Sequence, residues 1–308
     1  MTLSHIYKML KAFTGETTYR PKVIASYDNG YTVLTTSDDV GLMCYRYKNE
    51  PHLNISLDLD EITKIIGKKK NYELVISNNP HIEFYRGKKV IDTVPLSFTD
   101  ADDLLFPMPD RLDYSDNYIK IRDAYKDIAF FNTAITDECD VVITRRTMSI
   151  RNHNSELVKP VNTELPSMAI QFMQFAHTIK SLEYACDSCD KIYFYTGIDL
   201  YIFNSDYTYA AILPYKKAPA EPIDLKLVTY IGHIKYEPNN ELIRVIGKDG
   251  ILKLGSVTVG PYIGGRFSKT ISANKLAQVT KVYGIDMDVY TYESSLIIKF
   301  GQQYVIFY

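Results

Sequence analysis

The chain has few of the residues by which catalytic and metal centres are recognised. Its 308 residues include no tryptophan, four cysteines and six histidines. Four cysteines do not make a disulfide scaffold at this length, and the pair Cys186 and Cys189 has neither the βαβ setting of a redox motif nor the second pair of a zinc site. No histidine spacing suits a metal, and no GxGxxG, P-loop or G-x-S-x-G motif occurs. We expect a protein that is not an enzyme and has no cofactor.

Long apolar runs are absent as well. The longest are far shorter than the roughly 20 residues that cross a bilayer, and the first residues, MTLSHIYKML, lack a signal-peptide pattern. Apolar residues make up 46% of the chain and charged residues 23%, which is typical of globular domains. We expect an intracellular protein without a membrane partner.

Short strand patterns dominate the rest of the sequence. Short strand signals such as YTVLTTS, preceded by the hairpin turn Asn29-Gly30, predict antiparallel strands. Apolar residues at helical spacing predict six helices. They cover residues 3–13, 60–70, 118–130, 167–185, 223–235 and 271–283.

The order of these elements repeats three times. Each repeat consists of a helix, several strands, a second helix and further strands, over roughly 90–110 residues, which is the size of a small domain. FTDADDLLFPMPD closes the first repeat and KKAPAEP closes the second. The order predicts an α+β fold with domains at 1–109, 110–219 and 220–308, each with two helices packed on antiparallel sheets.

This arrangement resembles the DNA sliding clamp family, in particular the three-domain β subunit of bacterial DNA polymerase III. HIYKMLKAF, GYTVLTTSDDVGLMCYRY, ISLDLDEITKIIG and YELVISNNPHIEFYRGKKVIDTVPL follow one another in the family's order. FTDADDLLFP resembles the segment that ends a clamp domain, and SLIIKFGQQYVIFY resembles the terminal strands. The resemblance covers nearly the whole chain and is poorest in the first half of the third repeat. The chain is shorter than typical bacterial clamps, which suggests a trimmed or phage-encoded version.

The resemblance implies a non-enzymatic ring that encircles duplex DNA and tethers a polymerase. Three domains per chain favour a head-to-tail homodimer, with helices lining the hole and sheets outside. The implied partners are double-stranded DNA without sequence preference, and peptides of a DNA polymerase and a clamp loader. The implied location is the cytoplasm of a bacterial or infected host cell. The sequence does not identify the cognate polymerase or loader.

The charge distribution supports this interpretation independently. The chain has a net charge of only -2. The six predicted helices nevertheless hold 14 lysines and arginines against 6 acids, which leaves the remaining segments at -10. Helices that share a surface would therefore form a basic track for phosphates.

The candidate DNA-binding residues are eleven lysines and one arginine of these helices. Any single one of them could instead only solvate a helix, and Lys68-Lys69-Lys70 could be no more than a solvated helix end. The candidates are Lys8, Lys11, Lys64, Lys68, Lys69, Lys70, Lys120, Arg122, Lys126, Lys180, Lys275 and Lys281.

A client-peptide pocket is expected beside the last residues, because the resemblance places one there and this tail is unusually apolar for a terminus. The alternative is that Val305 and Phe307 only belong to a last core strand. The candidate residues are Thr147, Met148, Ile150, Leu213, Pro214, Pro219, Val305, Ile306, Phe307 and Tyr308.

Two further hypotheses stay open at this stage. One is a monomeric clamp-like accessory factor for replication or transcription, which would hold DNA by charge alone. The other is an enzyme or viral structural protein whose β domains follow the same order. Solution mass separates the ring from the monomer, and turnover or metal content would indicate the last class.

Overall fold

The computed structural model describes most of the chain and divides it into two compact units. Unit I comprises Met1–Tyr125 and Met173–Tyr215, and unit II comprises Lys126–Phe172 and Lys216–Tyr308. The predicted domain boundaries near 109 and 219 lie outside the described residues, so the division into three domains stays a prediction. The described residues are 3–15, 21–28, 30–38, 40–48, 53–101, 118–120, 139–144, 147–151, 154–160, 167–185, 191–218, 223, 225–238, 242–263 and 266–308.

Four helices occur in the described residues: α1 (Leu3–Thr14), α2 (Leu59–Ile66), α3 (Phe172–Ala185) and α4 (Ala273–Tyr283). Helix α1 buries Ile6, Leu10 and Phe13, the apolar positions that its spacing indicates. Asp58 caps the N-terminus of helix α2: its carboxylate accepts hydrogen bonds from the backbone N–H groups of Asp60 and Glu61. None of the helices in this part of the chain has the length and apolarity to cross a membrane.

Strands make up most of the regular structure. In chain order they are β1 (Lys22–Asp28), β2 (Tyr31–Ser37), β3 (Leu42–Lys48), β4 (Ile55–Asp58), β5 (Tyr72–Val75), β6 (His81–Arg86), β7 (Lys89–Pro95), β8 (Phe98–Asp100), β9 (Tyr118–Lys120), β10 (Asp140–Ile143), β11 (Thr147–Arg151), β12 (Ser155–Pro160), β13 (Met168–Gln171), β14 (Lys191–Thr196), β15 (Leu200–Asn204), β16 (Tyr209–Leu213), β17 (Lys216–Lys217), β18 (Thr229–Lys235), β19 (Leu242–Lys248), β20 (Ile251–Leu254), β21 (Val257–Pro261), β22 (Phe267–Ser272), β23 (Asp286–Tyr292), β24 (Ser295–Phe300) and β25 (Gln303–Phe307).

Each unit contains one large and one small sheet. Unit I has a nine-stranded sheet of order β8-β4-β1-β2-β3-β16-β15-β14-β9 and a three-stranded sheet β5-β6-β7. Unit II has a nine-stranded sheet of order β17-β13-β10-β11-β12-β25-β24-β23-β18 and a four-stranded sheet β21-β20-β19-β22. Every strand pair in the described ranges is antiparallel, as the short, turn-linked strands predict.

Within each large sheet, two runs of three strands are joined in the same way. Six runs of three consecutive strands occur: β1–β3, β5–β7, β10–β12, β14–β16, β19–β21 and β23–β25. In unit I the last strand of one run, β3, pairs with the last strand of another, β16, from Tyr45 opposite Tyr209 to Leu42 opposite Ile212. In unit II the last strands β12 and β25 pair in the same antiparallel way. The described residues show no such partner for β7 or β21.

The helix predicted at 223–235 is wrong. Residues 229–235 form strand β18, which pairs with β23. Ile231 and Ile234 are three residues apart, a helical spacing. A β-bulge between Tyr230 and Gly232 inserts an extra residue, so that both isoleucines are buried in a strand. In the described residues the last third of the chain therefore has one helix, α4, instead of two.

The other helix bounds differ less. Tyr118–Lys120 is strand β9 and not the start of a helix, because it completes the large sheet by pairing with β14. Residues 121–130 of that predicted helix lie outside the described part. Helix α2 ends at Ile66, since Gly67 takes a φ of 54° that suits glycine, and Lys68–Lys70 follow the helix. Residues 168–171, predicted as helix, form β13 before α3 begins.

Strand β18 passes close to β21 where two glycines meet. A Cβ atom on Gly232 would lie 2.4 Å from the carbonyl oxygen of Val259, and one on Gly260 would lie 2.2 Å from that of Ile231. Only glycine allows two backbones to approach so closely.

Candidate functional site

The basic residues of the first two helices are accessible. Lys8 and Lys64 are exposed, and Lys11 is half-buried. Lys68, Lys69 and Lys70 are exposed in the turn after α2 and not on the helix itself. Their position at a helix C-terminus is favourable for cations in any case.

Lys69 has a structural contact that its sequence position does not reveal. Its Nζ lies 3.6 Å from the centroid of the Phe84 ring, a cation–π geometry. Its backbone N–H donates to the carbonyl oxygen of Ile66. Lys68 and Lys70 are therefore the better candidates for phosphate contact in this run.

The remaining candidates are spread over other elements. Lys180 on α3 and Lys281 in the last turn of α4 are exposed. Lys120 lies in β9 and Lys275 lies on α4, and the structure does not describe their side chains. Arg122 and Lys126 lie outside the described residues. The four described helices carry six lysines and three acids, a smaller positive excess than the six predicted helices imply.

The last strand occupies the interior of a sheet. Strand β25 pairs with β12 on one side and β24 on the other, so its backbone is paired along both edges. Val305, Ile306 and Phe307 are buried, whereas Tyr308 is 39% exposed. The apolar tail is thus part of the core of unit II, and Tyr308 is its accessible residue.

The structure brings some predicted pocket residues together. Ile150 pairs with Leu157, which pairs with Val305, so β11, β12 and the tail are successive strands of one sheet. Thr147 and Met148 lie toward the other end of β11. Leu213 and Pro214 belong to unit I, and Pro219 lies outside the described residues.

A cavity of about 270 Å³ lies beside the end of the tail in unit II. Two of its lining residues, Phe307 and Tyr308, belong to the predicted pocket. The others were not anticipated, because the sequence does not show that the β11–β12 turn and β22 meet at the tail. The lining is formed by Asn154, Ser155, Lys269, Thr270, Ile271, Ser272, Phe307 and Tyr308.

A buried carboxylate holds the wall of this cavity in place. Glu156 has no exposed surface and accepts hydrogen bonds from Ser149 Oγ at 2.5 Å, from Arg151 Nη2 at 2.8 Å and from the Tyr308 hydroxyl. The Arg151 guanidinium carbon lies 6.0 Å from the centroid of the Tyr308 ring. Three donors offset the cost of burying the charge.

The same contacts perturb the groups around Glu156. Burial, followed by the hydrogen bond and charge of Glu156, raises the pKa of Tyr308 well above its usual value. Burial lowers the pKa of Arg151, but the hydrogen bond and charge of Glu156 outweigh it and the net shift is upward. Tyr308 therefore stays protonated and Arg151 stays charged near neutral pH.

Metal and thiol chemistry find no support in the described part of the chain. There, no three or more His, Cys, Asp or Glu side chains are grouped as metal ligands. Burial raises the pKa of the Cys44 thiol to about 12, which suits a core residue and not a nucleophile. Cys186 and Cys189 lie outside the described residues.

Known structures resemble the chain over its whole length. No family model matches it, and no curated protein matches it in sequence. A DNA polymerase sliding clamp from Pseudomonas aeruginosa has 13% sequence identity and a TM-score of 0.65, covering 100% of this chain and 97% of that one. A DNA polymerase III β subunit from Thermotoga maritima has 11% identity and a TM-score of 0.67, covering 99% and 96%. The chain has the DNA sliding-clamp fold.

A third clamp structure extends the comparison. The Helicobacter pylori β clamp bound to a DNA ligase peptide has 13% identity and a TM-score of 0.61, covering 99% of this chain and 96% of that one. Identities of 11–13% show the clamp fold alone. The family resemblance seen in the sequence is confirmed for the fold, although the last third of the chain has a strand at its first predicted helix.

Proposed function

We propose that this protein is a DNA sliding clamp, a processivity factor that encircles duplex DNA and tethers a replicative polymerase. The observation that carries the proposal is the likeness to bacterial clamps over 99–100% of the chain. Fold alone does not determine function. Three features of the described residues therefore support the proposal further: the open strand edges, the exposed lysines and the cavity at the tail.

The open edges support a head-to-tail homodimer. Two of the three possible junctions between three-strand runs are closed within the chain, as β3 with β16 and β12 with β25. The runs ending in β7 and β21 are the two left over. In a head-to-tail dimer, β7 of each protomer would pair in antiparallel fashion with β21 of its partner. These two junctions would close a ring to which each chain contributes six runs.

Strand β7 has the features of an edge that needs a partner. Its Val90 is 38% exposed and its Ile91 is 55% exposed. An accessible apolar edge strand is a liability unless it is paired or protected. Both β7 and β21 end in proline, at Pro95 and Pro261, a residue that edge strands tolerate.

DNA would be held by phosphate contacts alone. Exposed Lys8, Lys64, Lys180 and Lys281 each lie on a helix. Such contacts carry no base information, so we expect binding without sequence preference and with a strong dependence on salt.

The tail cavity is the proposed client site. The Helicobacter pylori clamp in the comparison binds a DNA ligase peptide, and the cavity here offers Ile271 and Phe307 as apolar walls beside polar groups. A peptide from the polymerase or the loader would bury an apolar anchor there as a hot spot. No enzymatic activity is part of the proposal.

Solution mass tests the proposed ring. Static light scattering should give about twice the chain mass of 35.3 kDa at micromolar concentration. The dimer should remain on a nicked circular plasmid at moderate salt and dissociate when the plasmid is linearised, since a ring slides off free ends. A monomer with equal retention on both DNAs would overturn the ring and favour the monomeric accessory factor.

A further inference from the structure

Two lysine-rich turns lie at the same end of the three-stranded sheet β5-β6-β7. Residues 67–71 have the sequence GKKKN and connect α2 to β5, and residues 86–89 have the sequence RGKK and connect β6 to β7. Strand β5 is antiparallel to β6, and the backbone N–H of Tyr85 donates to the carbonyl oxygen of Asn71 at 2.9 Å. The start of β5 and the end of β6 are therefore adjacent, and so are the two turns.

Both turns are built in the same way. Each contains a glycine with a positive φ, 54° at Gly67 and 64° at Gly87, and lysines follow directly. Only glycine adopts such angles without strain. Six basic residues of the two turns are exposed, and we call them the basic end of the sheet: Lys68, Lys69, Lys70, Arg86, Lys88 and Lys89.

Most of the acidic residues of this sheet lie on one of its faces. Glu73 and Glu83 are paired opposite each other, and both carboxylates lie at hydrogen-bond distance from the Tyr85 hydroxyl. Because side chains alternate along a strand, Arg86 belongs to the other face. Of the three strands, all of which the structure describes, that face receives one acid, Asp92. The basic end is thus separated from most of the nearby negative charge.

The cations of the basic end repel one another. Arg86 and Lys89 are directly opposite in the β6–β7 pairing, and like charges in that position destabilise a strand pair. The Lys69 ammonium lies over the Phe84 ring. Within the described residues, none of the other five basic side chains takes part in an ion pair. Such a group of cations favours the binding of an anion.

We propose that the basic end is a phosphate-binding surface, separate from the helices, that contacts the backbone of duplex DNA. Duplex DNA carries one negative charge per roughly 1.7 Å of its axis, so one stretch of backbone reaches several of these side chains. The Arg86 guanidinium offers a bidentate fork and the lysines offer point charges. The inference goes beyond the proposed ring, because a surface contact of this kind requires no encirclement.

The composition of the two turns favours phosphates over the other possible partners. They contain no aromatic residue on which a base could stack, so the contacts carry no sequence information. They also contain no apolar anchor, and anchors of that kind supply most of the binding energy at protein interfaces. A partner recognised by charge alone, with closely spaced anions, fits these observations.

The test measures binding of the full-length protein to a short, fluorescein-labelled linear duplex by anisotropy, between about 50 and 200 mM salt. One double variant, Lys68→Gln with Lys70→Gln, changes the first turn. The other, Arg86→Gln with Lys88→Gln, changes the second turn and leaves β7 intact. Each should reduce the magnitude of the slope of log affinity against log salt by about 1.8, which is about 0.9 for each lost phosphate contact.

A matched control removes the same charge elsewhere. Lys217→Gln with Lys253→Gln changes two exposed strand lysines and should leave the slope as in the wild type. An unchanged slope in the Arg86→Gln and Lys88→Gln variant overturns the inference, because the second turn would then take no part in the surface. An equal decrease in the control overturns it as well, since only the general charge would matter.

Lys89→Glu separates loss of charge from loss of folding. It places an acid opposite Arg86, so the melting temperature should stay the same or rise while duplex affinity decreases. Unchanged affinity in this variant contradicts the proposed surface. Displacement of the duplex by a polyglutamate peptide at equal charge concentration overturns the assignment to phosphate and indicates an acidic protein partner.

The proposed ring has a separate readout, which is retention on a nicked circular plasmid. A wild-type protein that is not retained, but loses salt dependence in both double variants, would overturn the ring and leave the basic end in place. A retained protein whose double variants keep the wild-type slope would overturn the basic end alone.

Discussion

Tyr308 donates its hydroxyl hydrogen bond to Glu156, a carboxylate with no exposed surface 152 residues earlier in the chain. The backbone N–H of Tyr308 also donates to the carbonyl oxygen of Asn154, in the turn before β12. The last residue is thus tied by both main chain and side chain, although chain ends usually fray.

Removing the hydroxyl should destabilise unit II modestly. We expect Tyr308→Phe to lower the free energy of unfolding by about 1 kcal/mol, the usual effect of removing one hydrogen bond to a charged group when the donor is partly exposed. Urea unfolding followed by circular dichroism measures it. An unchanged midpoint would show that this hydrogen bond contributes nothing to stability.

The same pair has a pH signature. The pKa of Tyr308 is raised in the folded state. Its contribution to the free energy of unfolding is therefore fully present below the unfolded pKa of about 10 and is lost as pH rises toward the folded pKa. The stability difference between the wild type and Tyr308→Phe should therefore be constant up to about pH 10 and decrease above it. A difference that grows above this pH would contradict the direction of the shift.

Charge on the exposed edge should open the ring. We expect Ile91→Asp on β7 to give a monomer by light scattering, because an apolar side chain at the β7–β21 junction is replaced by a desolvated charge. Ile198→Asp is the matched control, since Ile198 is 98% exposed in a turn of the same unit. Equal dimer content in both variants would place the subunit interface elsewhere.

Reversing helix charge should weaken retention on DNA. The double variant Lys8→Glu and Lys64→Glu changes two exposed helix lysines. The logarithm of the DNA association constant decreases linearly with the logarithm of the salt concentration. We expect the magnitude of this slope to decrease by about 0.9 for each phosphate that the protein no longer neutralises. Lys217→Glu and Lys253→Glu make the same change of net charge on exposed strand positions and should leave the slope unchanged. A similar decrease in both double variants would indicate only a general charge effect.

A substitution at the cavity rim tests the client site without removing core residues. Phe307 pairs with both Ser155 and Leu296 and is buried, so deleting the last two residues should lower thermal stability along with binding. Thr270→Glu keeps the core, and we expect it to weaken binding of a client peptide with an apolar anchor by about tenfold or more, as substitution of a hot-spot residue does. Ser268→Glu, exposed on the same strand and outside the cavity lining, should bind normally.

Local patterns were sufficient for most elements. The strands of the first repeat, for example KVIASYD and YTVLTTS, form β1 and β2 as predicted, since β-branched and aromatic residues bounded by a turn signal favour strands. Helix α1 follows from Ile6, Leu10 and Phe13 in the same way. The helix predicted at 223–235 was wrong because a bulge imitates helical spacing, and a bulge is produced by the partner strand and not by the segment itself.

The amino-acid sequence was sufficient to predict the antiparallel α+β character, the order of most elements and the apolar tail, because each depends on the types and spacing of neighbouring residues. The choice of neighbouring strands depended on tertiary packing. It placed Ser155 beside Phe307, left β7 and β21 without partners among the described residues, and brought Lys269 to the same cavity as Tyr308. Such contacts join residues far apart in the chain, and their choice depends on how whole sheets pack, which no local pattern specifies.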